Sequence, residues 1–327
     1  MAPLIYWQTK ICLGGENMHQ NNKKQPFIKL LGKDLKKYAG IYLLFLPVVL
    51  YFLIFCYKPM YGLIIAFKNF RPGLGIWGSK WVGLKHFETF FSSYYFTRVL
   101  KNTLVISLTS LIVSFPAPII FALLLNEVKN DKFKRLTQTI TYMPHFISTV
   151  VVCSMINMFV SEHGIITYIL SFFGGPEVSL LTKPDYFVPI YIISGIWQNL
   201  GWESIIYLAA LSGIDQELYE AAKIDGAGRW KQTLHVTLPG ITGTIVILFL
   251  MRMGRVLNVG HEKIILLYNP GIYETADVIS TYVYRKGLLN AEYSFSTAVG
   301  LCNSVINFTI VVLFNKISKK LTEISLW

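Results

Sequence analysis

The chain reads as an all-α integral membrane protein with six spanning helices. Three observations lead there. Of the 327 residues, 53% are apolar and only 15% are charged. The mean hydropathy is +0.48. The apolar residues gather into six runs, each near the ~20 residues that a helix needs to cross a bilayer. Runs 39–57, 103–126, 138–160 and 295–315 contain no Asp, Glu, Lys or Arg; run 186–214 is interrupted only by Glu203, and run 236–251 continues into Arg252 and Arg255. Strand alternation is absent, so helices rather than a closed barrel satisfy the backbone in lipid. Such a composition excludes a disordered chain and argues against a soluble enzyme.

Basic residues orient the runs. With six spans both termini share one side, and that side holds 17 Lys and Arg against 10 on the other. The basic-rich side is cytoplasmic. The net charge of +12 is scattered over loops on both faces, which suits lipid headgroups better than nucleic acid. The four cysteines, Cys12, Cys56, Cys153 and Cys302, form no CxxC pair, and the six histidines have no ligand spacing, so neither a disulfide framework nor a metal site is expected.

Taken in order, residues 1–38 are a polar cytoplasmic segment, and the first apolar run lies too far along the chain for a cleavable signal peptide. Gly14-Gly15-Glu16-Asn17-Met18 is what a translated ribosome-binding site would spell. Met18 is therefore an alternative start, with residues 1–17 not native; an ordinary basic leader is the other reading. The first span, 39–57, contains Pro47. The external loop 58–98 is rich in Gly and aromatics, among them Trp77, Trp81, Phe87 and Phe90, and parts of it are expected at the membrane surface. A core of five spans follows over 99–315. Pro116 and Pro118 should kink its first helix. Two external loops, 161–185 and 259–293, alternate with cytoplasmic loops 127–137 and 213–239, and a cytoplasmic tail, 316–327, closes the chain.

The loop 213–239 carries the most specific pattern. Glu220-Ala221-Ala222-Lys223-Ile224-Asp225-Gly226 is followed, nine residues after the glycine, by Val236-Thr237-Leu238-Pro239. The residues alone predict a short amphipathic helix in which small alanines permit close approach by another protein. Gly226 stops it, because glycine tolerates left-handed angles. Pro239 suits the first turn of the next span. Gly226-Ala227-Gly228-Arg229-Trp230-Lys231 is no phosphate loop, since it lacks the second glycine before the lysine and follows no buried strand.

This pattern resembles the EAA motif of binding-protein-dependent ABC importer permeases. Trp81-Val82-Gly83-Leu84, Lys101-Asn102-Thr103-Leu104 and Trp197-Gln198-Asn199-Leu200-Gly201-Trp202 are similar to the core of the sugar-importer branch. A narrower resemblance is to LplB-type oligosaccharide permeases. It rests on Pro59-Met60-Tyr61-Gly62, Leu267-Tyr268-Asn269-Pro270, Tyr273-Glu274-Thr275-Ala276-Asp277, Thr281-Tyr282-Val283-Tyr284-Arg285 and Ser325-Leu326-Trp327. His261 departs from the pattern, where Phe is expected. The resemblance implies a type I ABC importer permease fold with a cytoplasmic coupling helix. It also implies a heterodimer with a sister permease, two cytoplasmic ATP-binding subunits that carry the ATP and Mg, and an external sugar-binding lipoprotein. The chain itself would bind no cofactor and catalyse nothing. By motif match Glu220 would contact an Arg or Lys of the ATPase, Ala221 and Ala222 would form the close surface, Asp225 and Gly226 would shape the turn, and Leu238 and Pro239 would close the motif.

Three ionisable residues stand in or beside spans: Glu203, Arg252 and Arg255. Charge at membrane depth costs on the order of 2.5–3.5 kcal/mol, so such groups face a partner or a cavity. One reading is mutual pairing, or snorkelling of the arginines to the outer headgroups. The other is a translocation cavity in which Trp197, Trp202 and Tyr207 stack on sugar faces and Asn199 and Asn258 bond hydroxyls. In that cavity Arg252 and Arg255 would meet the carboxylates of uronic-acid-containing oligosaccharides. A different class, an ion-gradient-driven secondary transporter or channel for small polar solutes, would need no EAA helix and would more often show repeated halves. A membrane-embedded enzyme lacks a nucleophile–base pair or metal motif in the spans.

Overall fold

The computed structural model describes residues 37–327. The alternative start at Met18, residues 1–17 with Cys12, and most of the segment 1–38 lie outside the described residues. The described chain is helical apart from one two-residue antiparallel pairing, Lys68 with Trp81 and Asn69 with Lys80.

The chain divides into two compact units at Tyr61 and Gly62. The described part of the first is a helix, α1 (Ala39–Phe67 in its full course), that meets the length and hydropathy of a membrane span. Over 39–57 its side chains carry no charge on any face, and Leu43 and Leu44 are 70% and 82% exposed. Such a surface is stable only against lipid or another apolar partner.

The second unit holds the remaining long helices: α2 (Phe96–Asn126), α3 (Asp131–Phe146), α4 (Thr149–Phe159), α5 (Pro184–Ser212), α6 (Gln216–Ile224), α7 (Arg229–Met253) and α8 (Tyr293–Thr322). Among the described residues, four helices, α1, α2, α7 and α8, are long and apolar enough to cross a membrane, and the α3–α4 pair makes a fifth if counted as one span. α5 has 29 residues but carries Asp185, Gln198, Asn199 and Glu203, which lower its hydropathy. A count of six therefore needs α5 as a polar span.

The expected span 138–160 is not one helix. α3 and α4 meet at an angle of 100°. Pro144 sits in a 3-10 turn, Ile147 is extended, and Ser148 starts α4 by accepting a hydrogen bond from the Val151 N–H at 3.4 Å. The run carries no charge, so hydropathy gave no sign of the break. The span expected over 236–251 also differs. Its helix begins at Arg229, which places Pro239 well inside rather than in the first turn. A π-helical turn, Thr233–Thr237, precedes that proline. The same device recurs at Phe52–Tyr57 before Pro59 and at Ser110–Ser114 before Pro116. A proline cannot donate to the carbonyl four residues back. A turn that bonds five residues on gives that carbonyl another donor, and so the helix continues.

Three apolar clusters hold the second unit. One joins Ile106 of α2, Val152 and Ile156 of α4, Phe187 of α5 and Ile264, Leu267, Ile272 and Val278 of the 259–293 segment. A second joins Phe90, Val99, Tyr282, Phe295 and Val299. Phe90 thus turns inward at 4% exposure, whereas Trp77 and Trp81 remain 77% and 57% exposed. The third joins Ile119 and Ala122 of α2, Tyr207 and Leu211 of α5 and Ile241 of α7, with Tyr219 of α6 packed against it.

α3 and α5 are tightly packed at Gly201, where an added Cβ would clash with the Thr141 carbonyl oxygen. Backbone cannot yield there without parting the helices. Gly201→Ala is therefore expected to cost about 1–3 kcal/mol, read as a lowered unfolding midpoint of the purified protein. A midpoint equal to native would show that the two helices part freely.

Candidate functional site

Two places carry functional geometry. The first is the α6 turn. Asp215 caps the helix by accepting from the Glu217 N–H at 3.0 Å. At the other end Gly226 takes φ +74°. The Ala227 N–H then reaches the Ala222 carbonyl at 2.9 Å, and the Gly226 N–H reaches Lys223 at 3.0 Å. This paired closure is the Schellman motif, and the left-handed residue it requires explains the glycine. Tyr219 ties the helix to α7 through its hydroxyl, 3.0 Å from Thr237 Oγ1. Glu220, Ala221 and Asp225 are exposed, Ala222 is half-buried, and Leu238 and Pro239 lie on α7 beyond the π turn. Ile224 and Trp230, which flank the glycine in the sequence, are 87% and 81% exposed. Trp230 was absent from the sequence-based set, because nothing in its spacing marks it.

The second place is a cleft between α2, α5, α7 and the segment after α7. One part, of about 200 Å³, is lined by Ser110, Gln198, Asn199, Glu203, Arg252 and Lys263 among others. Another, of about 400 Å³, reaches Arg255 and Asn258. The two share Ser110, Tyr191, Glu203 and Arg252. Arg252 Nη1 stands 3.5 Å from Glu203 Oε2, and Nη2 donates to Ser110 Oγ at 3.2 Å. Arg252 and Glu203 are thus paired with each other, and both line the cleft. Asn258 Oδ1 accepts from Asn303 Nδ2 at 2.7 Å.

Of the expected cavity residues, the structure brings together Asn199, Glu203, Arg252, Arg255 and Asn258. It does not bring Trp197, Trp202 or Tyr207 to the cleft. Tyr207 is 3% exposed within the third cluster, where no sugar face can reach it. Trp202 stacks on His145 with ring centroids 4.6 Å apart and an interplanar angle of 4°. His145 in turn bonds Asn199 Oδ1 through Nδ1 at 3.0 Å. Trp197 is 46% exposed and lines neither part of the cleft. A helix carries successive residues to different faces, so proximity in the Trp197–Tyr207 segment did not mean one wall. Ser110, Tyr191 and Lys263 were missed: the first two sit in apolar runs, and Lys263 reads as a loop charge.

Above the cleft, on the 259–293 segment, lies a buried ion cluster. Asp277 is fully buried and receives Arg285 through two bonds, 2.8 Å and 2.6 Å. Arg98 stands 3.5 Å away, and Thr281 Oγ1 donates to Asp277 Oδ1 at 2.8 Å. Asn102 Nδ2 donates to the main-chain oxygens of Glu274 and Asp277, and the Ile279 N–H donates to Thr103 Oγ1. Burial works against the Arg285 charge, but the bonds to Asp277 overcome it and raise the pKa above its usual value. The motifs around Lys101-Asn102-Thr103, Asp277 and Arg285 are thus one clamp that fixes the 259–293 segment to α2. No group of three or more His, Cys, Asp or Glu side chains among the described residues could hold a metal ion.

Residues 114–323 match the family described as the binding-protein-dependent transport system inner membrane component. The chain belongs to this family. The permease is 44% identical over 305 residues to the polygalacturonan/rhamnogalacturonan transport system permease protein YteP of Bacillus subtilis (strain 168), covering 93% of this chain and 94% of that one. It is 44% identical over 290 residues to Protein LplB of the same organism, covering 88% and 91%. A crystal structure of a bacterial ABC transporter involved in the import of the acidic polysaccharide alginate superposes with a TM-score of 0.83 at 46% identity, over 90% of the permease and 99% of that chain. A second, of the alginate transporter in complex with an alginate pentasaccharide-bound periplasmic protein, gives 0.83 at 45% identity, again over 90% and 99%. The fold is therefore that of the ABC importer permeases.

Proposed function

We propose that the permease carries acidic oligosaccharides into the cytoplasm as one half of a heterodimer. One observation carries the acidic class: the cleft is lined by three cationic side chains, Arg252, Arg255 and Lys263, and by one carboxylate, Glu203. A low-dielectric cleft with an excess of one sign draws in the opposite sign. The kinship to a polygalacturonan/rhamnogalacturonan permease and to an alginate importer supports the same class.

The partners follow from the family. A sister permease completes the pathway, two cytoplasmic ATP-binding subunits hold the ATP and Mg, and an external sugar-binding lipoprotein delivers the substrate. Both termini and α6 face the cytoplasm, with α5 as the sixth span. α6 docks into the ATPase, Glu220 meeting a basic side chain while Ile224 and Trp230 fill an apolar groove. ATP-driven closure of the ATPase pair moves α6 and favours the outward-facing state. A ligand shifts such an equilibrium only by its difference in affinity for the two states.

The test is uptake by the complete transporter in proteoliposomes, comparing an oligogalacturonate with a neutral galacto-oligosaccharide of equal length. Faster ATP-dependent uptake of the acid supports the reading, and the Arg252→Gln, Arg255→Gln double variant should abolish it. Preference for the neutral sugar, or uptake unchanged in the double variant, ends it. Uptake driven by an ion gradient without ATP would favour the secondary-transporter class.

A further inference from the structure

Arg252 and Lys263 line the same 200 Å³ cavity but differ in their surroundings. Arg252 already has a carboxylate, Glu203, and a hydroxyl, Ser110. Lys263 forms no ion pair among the described residues. Its Nζ donates to the Tyr191 main-chain oxygen at 3.2 Å and lies 5.0 Å from the centroid of the Tyr191 ring. It stands 3.5 Å from where a Cβ on Gly195 would be, so the ammonium packs at van der Waals distance over α5. Burial pushes this ammonium down to about 8. A cation held in a cavity with only a neutral carbonyl and the Tyr191 ring for partners keeps donors unspent, and an ammonium has three.

We infer that Lys263 is a specificity residue of the translocation cleft, donating to the carboxylate of each acidic sugar unit as it passes Tyr191. The inference rests on the acidic reading of the cleft. A lysine suits this task because its point charge accepts a carboxylate from many directions, whereas a guanidinium fork holds one geometry. A substrate that must leave again is served by the looser contact. The 200 Å³ cavity that Lys263 lines leaves room for the carboxylate.

The experiment uses the complete transporter in proteoliposomes with its own binding protein. Initial uptake of an oligogalacturonate is measured for the native chain, Lys263→Gln and Lys263→Arg. Uptake by Lys263→Gln is expected to fall about tenfold, while Lys263→Arg keeps at least half the native rate. With the same oligomer half methyl-esterified, the gap between native and Lys263→Gln should narrow several-fold, because fewer units carry charge. A structural role for Lys263 would leave that gap unchanged, and this result overturns the inference. So does native-like uptake of the acid by Lys263→Gln, or a fall in Lys263→Arg as deep as in Lys263→Gln. If the native transporter imports only the neutral oligosaccharide, the acidic reading itself fails, an outcome distinct from equal rates in native and variant.

Discussion

Asp277→Ala is expected to be among the most damaging single changes outside the cleft. The carboxylate is fully buried and carries both Arg285 and Arg98. Its removal leaves two positive charges without their carboxylate and takes an acceptor from the Thr281 hydroxyl. Breaking a buried pair from one side typically costs 3–5 kcal/mol. Arg98 and Arg285 keep 31% and 22% of their side-chain surface exposed, so water offsets part of the loss. A destabilisation of about 3 kcal/mol results, or a midpoint lower by on the order of 5–10 °C. Asp277→Asn should fall less far, since it keeps an acceptor. Combining Asp277→Ala with Arg285→Met should recover part of the loss, because one orphaned charge goes with the carboxylate. A double variant whose losses simply add would refute the clamp, since residues in one ion network do not behave independently.

The second large effect is functional. Glu220→Ala leaves α6 intact, as alanine is the best helix former and the Asp215 cap and Gly226 closure are untouched. What it removes is an exposed carboxylate poised for a basic partner. Hydrogen bonds to charged groups contribute about 1.5–3 kcal/mol, so affinity for the ATP-binding subunit should fall roughly 10- to 150-fold. The measurement is the ATPase dissociation constant for the detergent-solubilised permease pair, alongside stimulation of hydrolysis by the liganded binding protein. Lys223→Ala, on the same helix, serves as the comparison and should change either value by less than threefold. Equal affinities for native and Glu220→Ala would remove Glu220 from the interface. Trp230→Ala tests the apolar side of the same surface, and its loss should weaken docking without altering the unfolding midpoint, since the ring is 81% exposed.

Much was legible in the sequence where short-range chemistry decides. Four of the apolar runs lie in helices long and apolar enough to cross a membrane, and Gly226 marked the end of the short helix before it. The reason is that caps, left-handed turns and lipid-facing surfaces depend on neighbours within a few residues. Glu203, Arg252 and Arg255 could be singled out as costly charges for the same reason.

Only the tertiary structure decided who meets whom. Glu203 and Arg252 are 49 positions apart, and their pairing depends on how α5 rests against α7. The aromatic residues of α5 fell to three fates: Trp202 on His145, Tyr207 in the core and Trp197 away from the cleft. Hydropathy cannot separate these, because a helix apolar on most faces gives no phase. The 100° break between α3 and α4 lay inside an uncharged run and depended on local turns that carry no hydropathy signal. Lys263 read as a loop charge until the chain after α7 folded back against Tyr191. Asp277 was visible as part of a motif, but its two arginines come from opposite ends of the core, 98 and 285. Composition and local pattern set the class and the elements, because lipid and backbone act on every residue alike. The cleft, the clamp and the lysine arose from long-range packing, where one helix rotated by a single residue would seat different side chains.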